Sequence, residues 1–129
     1  MSRLRPPLSL LAVSLALGVA RASQADEFVA ARYDPHGDAL VVTLQYDGTN
    51  PDHGFTVKWG SCKSDASAGP QLTAEVLDSQ WNDAARKTFT KKVRFALGSV
   101  PCRPARVTLY TAPHFEITVG IPKAPGVAP

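Results

Sequence analysis

The residues of this 129-residue chain best suited to chemistry are three histidines and two cysteines: His36, His53, His114, Cys62 and Cys102. Imidazole nitrogens and cysteine sulfurs bind zinc or copper when three or four of them converge. His36 sits in the run Asp34-Pro35-His36-Gly37-Asp38, His53 follows Asp52, and His114 follows Pro113. Each falls in a turn-forming stretch or at a strand edge, where the same letters serve backbone geometry. No HxH or HxxxH spacing puts two of them on one face. A copper- or zinc-binding periplasmic protein using His36, His53 and His114 is therefore the second reading of the chain. Cys62 and Cys102 point elsewhere: an even pair in an exported protein is expected to form a disulfide. That bond would staple two loops at one end of the fold.

Nothing in the spacing builds a catalytic site. Gly60-Ser61-Cys62 is not a GxSxG elbow and has no strand-to-helix context. No glycine loop of the phosphate-cradling kind occurs, and no cofactor is expected. The chain reads as a non-enzyme, with a hydrolase the remote alternative. One charged stretch suggests binding instead. Lys92 and Arg94 should project from the wet face of a strand, with Arg106 and Tyr110 joining from the next strand and Arg103 from the link between them. Such a basic patch suits an acidic protein or an anionic polymer. The plainer alternative, an ordinary solvated sheet face that discourages edge pairing, is the favoured one. Trp81 lies among Ser79, Gln80, Asn82 and Asp83 and is expected to anchor its loop by packing on the fold.

The elements that must position these residues begin with a leader. Arg3 and Arg5 precede an apolar run of 13 residues from Leu8 to Ala20, followed by small residues at Ala20-Arg21-Ala22 and Ser23-Gln24-Ala25. Residues 1–25 thus read as a secretory signal peptide, cut after Ala22 or Ala25. The run falls short of the roughly 20 residues that cross a bilayer. The expected destination is a bacterial periplasm or the exterior by general export. Residues 26–122 then form one domain and residues 123–129 a flexible tail.

Removing the leader changes the charge. The chain carries 14 basic and 11 acidic residues, and Arg3, Arg5 and Arg21 all leave with the leader. The remaining chain is neutral, which argues against nucleic acid as a partner. Its charges are divided. From Asp26 to Asp83 there are ten acids and three bases, and from Ala84 onward eight bases and one acid. Early acidic strands lying beside late basic strands would compensate each other.

Short alternating apolar runs separated by Gly, Pro, Asn and Asp predict seven strands: Phe28–Tyr33, Ala39–Tyr46, Phe55–Ser61, Gln71–Asp78, Thr88–Leu97, Arg106–Thr111 and Phe115–Ile121. Phe55, Val57 and Trp59 share one face, as do Phe89, Val93, Phe95 and Leu97, then Val107 and Leu109, then Phe115, Ile117, Val119 and Ile121. Ala39–Leu44 is apolar on both parities and is expected to be central. Asp78–Lys87 is either a short helix or a turn-rich loop. The fold class is an all-β antiparallel sandwich of about seven strands, broadly immunoglobulin-like in architecture, with a small barrel as the alternative. Trp59 precedes Cys62, unlike the order in true immunoglobulin domains, so only the architecture is expected. The functional expectation is a small exported binding or inhibitor-type module for another envelope or extracellular protein.

Overall fold

The computed structural model describes residues 26–83, 87–112 and 115–126. The proposed leader, His114 and part of the Asp78–Lys87 stretch lie outside the described residues, as does the end of the tail. Seven strands form and no helix is found among the described residues: β1 (Glu27–Asp34), β2 (Ala39–Gly48), β3 (Phe55–Asp65), β4 (Gly69–Asp78), β5 (Lys87–Ala96), β6 (Ala105–Thr111) and β7 (Phe115–Ile121). Each matches a run read from sequence, and β3 continues further, to Asp65. Asp78 ends a strand, and Ser79–Asn82 form a turn rather than a helix start.

Two sheets result, one ordered β1-β2-β5 and the other β3-β4-β6-β7. Val42, Leu40 and Leu44 from β2 meet Leu72, Ala74 and Val76 from β4 and Val107 and Leu109 from β6 in a single core. This is a sheet-on-sheet sandwich. β2 is the central strand of its sheet, and residues of both parities are buried there, including Ala39 and Val41.

One pairing corrects the antiparallel expectation. β4 and β6 run parallel, with Leu72 opposite Val107 and Ala74 opposite Leu109. The cause is topological. β4 climbs to Asp78, β5 crosses to the other sheet and descends, and the chain re-enters beside β4 climbing again. The intervening β5 supplies the long connection that a parallel pair requires.

Cys62 and Cys102 are bonded, with a Cα separation of 6.2 Å. Cys62 lies inside β3 rather than in a loop, just after a bulge between Trp59 and Cys62, so the bond ties an edge strand to the link before β6. The bridge spans 40 residues of chain. A loop of that length confines the unfolded chain by about 4 kcal/mol in the chain-entropy model. Replacing both cysteines by alanine should therefore lower the unfolding free energy in urea by about 4 kcal/mol. A loss under about 1 kcal/mol would contradict this assignment.

Candidate functional site

The rows of inward-facing residues do not end in apolar side chains. At the upper end of the sandwich, where β2 finishes at Gly48, each row closes on a polar group. β2 runs Leu40, Val42, Leu44 and then Tyr46; β4 runs Leu72, Ala74, Val76 and then Asp78; β6 runs Val107, Leu109 and then Thr111. His53 stands two residues before the half-buried Phe55, and Asp26 two before Phe28. The two-residue period of a strand thus brings Asp26, Tyr46, His53, Asp78 and Thr111 into one layer.

His53 is the centre of that layer and is only 1% exposed. Its Nδ1 is 2.8 Å from Asp78 Oδ2 and its Nε2 is 2.9 Å from Asp83 Oδ2. A carboxylate only accepts hydrogen bonds, and a neutral imidazole has a single N–H. Satisfying both contacts therefore calls for the doubly protonated imidazolium. Burial opposes that charge, but the hydrogen bonds to Asp78 and Asp83 outweigh it and hold the His53 pKa above its ordinary 6.5. Asp83 is held low, first by His53 and then by the Thr49 N–H. Lys91 Nζ donates to the His53 carbonyl at 2.8 Å, and the His53 ring lies 4.7 Å from that of Tyr46.

Asp26 completes the layer. Thr111 Oγ1 donates to its backbone carbonyl at 2.6 Å, pinning the start of β1 to the end of β6. Burial and a hydrogen bond with Asp78 push its carboxyl up to about 7. Asp26 thus keeps its proton beside the Asp78 carboxylate instead of ionising next to it.

The same hydrogen bonds fix a turn at the surface. Asp83 accepts from the Thr49 N–H at 2.8 Å and from the Thr49 hydroxyl at 3.0 Å. Ser79 N donates to the Gly54 carbonyl and Gly54 N donates back to Ser79 Oγ. Asn50 Nδ2 donates to Gln80 Oε1, and Gln80 Nε2 donates to the Asp52 carbonyl. The 48–54 loop and the 79–83 turn are stitched together on both sides of Trp81, which is 76% exposed. The expectation that Trp81 packs on the sandwich is corrected: the turn is held by polar bonds around the indole, which is left in solvent.

The candidate basic patch does not form one surface. Lys92 and Arg94 face out from β5 in the three-stranded sheet, whereas Arg106 and Tyr110 face out from β6 in the other sheet, across the core. Adjacency in sequence does not place β5 and β6 side by side, because the chain changes sheets between them. Arg103 is 6% exposed at the lower end. It forks onto both Asp38 oxygens, at 2.9 and 2.7 Å, and gives its Nε–H to the Pro122 carbonyl. The Tyr33 hydroxyl donates to Asp38 from the other side. Arg94 pairs with Asp34 at 2.8 Å. These contacts join the acidic first half to the basic second half, as the charge division suggested.

The candidate metal residues are also dispersed in role. His36 is exposed on the β1–β2 turn, with its side chain 94% accessible. His53 has no free ring nitrogen, and His114 lies outside the described residues. Among the described residues, no three histidine, cysteine or acidic side chains are arranged to hold a metal. No helix among the described residues is long and apolar enough to cross a membrane.

Sequence reasoning passed over Asp26, Asp78, Asp83 and Lys91. Lys91 shares its parity with Phe89 and Val93, and Asp78 with Val76; polar letters in inward positions were the available signal. Compared with known proteins, the chain matches no family model, no curated protein and no solved structure.

Two outcomes test this layer. A Cβ placed on Gly48 would lie 2.6 Å from His53 Nε2 and 2.7 Å from Asp83 Oδ2. The buried ring has nowhere to retreat, so Gly48→Ala should cost about 2 kcal/mol in a urea titration; a neutral substitution would show the cluster to be looser than described. The pH dependence follows from the shifts. Asp26 binds its proton more tightly folded than unfolded, so stability falls as pH rises from about 4 through 7. His53 contributes fully below about 6.5, and that contribution is lost as pH rises through its higher folded value. Asp83 contributes above about 3.8 and loses that as pH falls through its lower folded value. The melting temperature should be higher at about pH 5 than at about pH 8.5, and a flat or reversed profile would contradict these protonation states.

Proposed function

We propose that the protein is a small exported binding module, immunoglobulin-like in its broad layer architecture, whose recognition element is the Trp81 turn. The observation that carries this reading is a large aromatic side chain in solvent on a turn whose backbone is bonded on both sides. Residues that dominate interfaces are enriched in tryptophan. A turn already fixed in one conformation loses little entropy when a partner closes on it. Loops held by a rigid sheet scaffold are the usual carriers of binding residues. Export is supported by the leader-like residues 1–25 and by the Cys62–Cys102 bond, which suits an oxidising compartment. The partner class is another envelope or extracellular protein.

The experiment places a photo-crosslinking amino acid at position 81 and, as a control, at position 92 on the outer face of the three-stranded sheet. In intact cells, position 81 should give a discrete adduct and position 92 should not. The purified partner should then bind Trp81→Ala about thirtyfold more weakly, the effect of losing about 2 kcal/mol. Equal crosslinking from both positions, or unchanged affinity, would remove the Trp81 turn from the interface.

A further inference from the structure

The recognition turn and the buried polar layer share residues. Asp83 closes the turn through Thr49 and Gln80 and also accepts from His53. Asp78 accepts from His53 through one oxygen and from the Gln80 N–H, at 2.8 Å, through the other. Asp26, hydrogen-bonded to Asp78, immediately precedes β1. The ties from Thr49 and from the Gln80 N–H therefore end on carboxylates that also hold His53.

We propose that this layer is a proton-operated clasp: with protons on His53 and on Asp26, the Trp81 turn and the start of β1 are held, and withdrawing those protons frees both. The inference rests on the reading of Trp81 as the recognition element, and it adds that recognition is strongest where protons are plentiful.

The charge balance supports it. Among the described residues, the groups facing His53 are Asp26 from just before β1, Tyr46 from β2 and Asp78 from β4, while Asp47 of β2 accepts from the Thr88 hydroxyl and bears on Asp26. Asp83 faces His53 from the turn and Lys91 from β5, with Asp52 beyond Tyr46. β6 contributes only the Thr111 hydroxyl, which is bonded to Asp26. In the protonated state the imidazolium sits between two carboxylates and Asp26 is neutral. Losing both protons leaves three carboxylates around a neutral ring. That ring has one N–H, so one carboxylate oxygen would face a lone pair at under 3 Å. Like charges and an unmade bond in so buried a place are costly. The least costly escape is at Asp83, whose side chain is 14% exposed, and at the half-buried Asp26, whereas His53 and Asp78 are enclosed. Asp26 is pushed up to about 7, near neutrality, and His53 is held above 6.5.

Amide hydrogen exchange on the full exported chain tests this without any partner. The reporters are the amides of Thr49, Gly54, Ser79, Gln80 and Asp83, each of which donates within the stitched loops. Val42 and Leu109 serve as core references. After correction for intrinsic exchange, the five protection factors should fall at least tenfold relative to the core between about pH 5.5 and 8.5. Asp26→Asn mimics the protonated carboxyl, keeping its size and its donor to Asp78, and should retain at least threefold more protection than wild type at the higher pH. Loop protection that follows the core at every pH would overturn the clasp, as would an Asp26→Asn variant indistinguishable from wild type. The two readings fail separately. Exchange behaving as expected while position 81 gives no adduct would leave the clasp standing and remove the recognition turn. Crosslinking from position 81 with pH-independent protection would do the reverse.

Discussion

Burying a histidine whose two ring nitrogens both meet carboxylates imposes a proton count on the upper end of this sandwich. Asp78 and Asp83 accept, so His53 must donate twice, and the cation so formed is sealed from water. The rest of the upper end follows from keeping that cation satisfied. Gly48 has no side chain because a Cβ would enter the space of the ring and of Asp83. Lys91 turns its ammonium toward the His53 carbonyl instead of solvent. The 48–54 loop and the 79–83 turn are drawn together because Asp83 serves both His53 and Thr49. Trp81 is exposed as a consequence: the turn is fixed from beneath by polar bonds and does not need the indole as an anchor.

The lower end is closed by a second charged group of a different kind. Arg103 grips Asp38 with two parallel bonds, an arrangement that guanidinium favours and that does not titrate near neutrality. Its hydrogen bonds hold Asp38 below the usual carboxylate range. The adjacent Cys62–Cys102 bond adds a covalent tie between β3 and the same link. One end of the fold is thus fixed at all ordinary pH values, and the other is fixed only while its protons are present. This asymmetry gives a small domain a stable body and an adjustable tip.

The seven strands were legible because alternation and turn residues are local signals. Phe55-Thr56-Val57-Lys58-Trp59 declares its buried face without any partner. The disulfide was legible because only two cysteines exist. Strand order was not, since β4 pairing parallel with β6 depends on β5 leaving for the other sheet, and no local pattern reports that. The same gap undid the basic patch: Arg94 and Arg106 lie twelve positions apart in sequence and on opposite faces of the fold. The polar layer was legible in part. Asp78 and Lys91 occupy inward positions by simple period-two counting, but polar letters at strand ends read equally well as turn residues. Asp83 lies beyond any strand and could be joined to His53 only by the fold itself.

The nitrogen-15 shifts of His53, followed by NMR through a pH titration, report directly whether the buried imidazole is a cation. Two acceptors on one ring predict that both nitrogens carry protons at about pH 6, with a midpoint above the ordinary 6.5. A single neutral tautomer at that pH, with a midpoint below 6.5, would contradict it and leave the upper end of the sandwich without its organising charge.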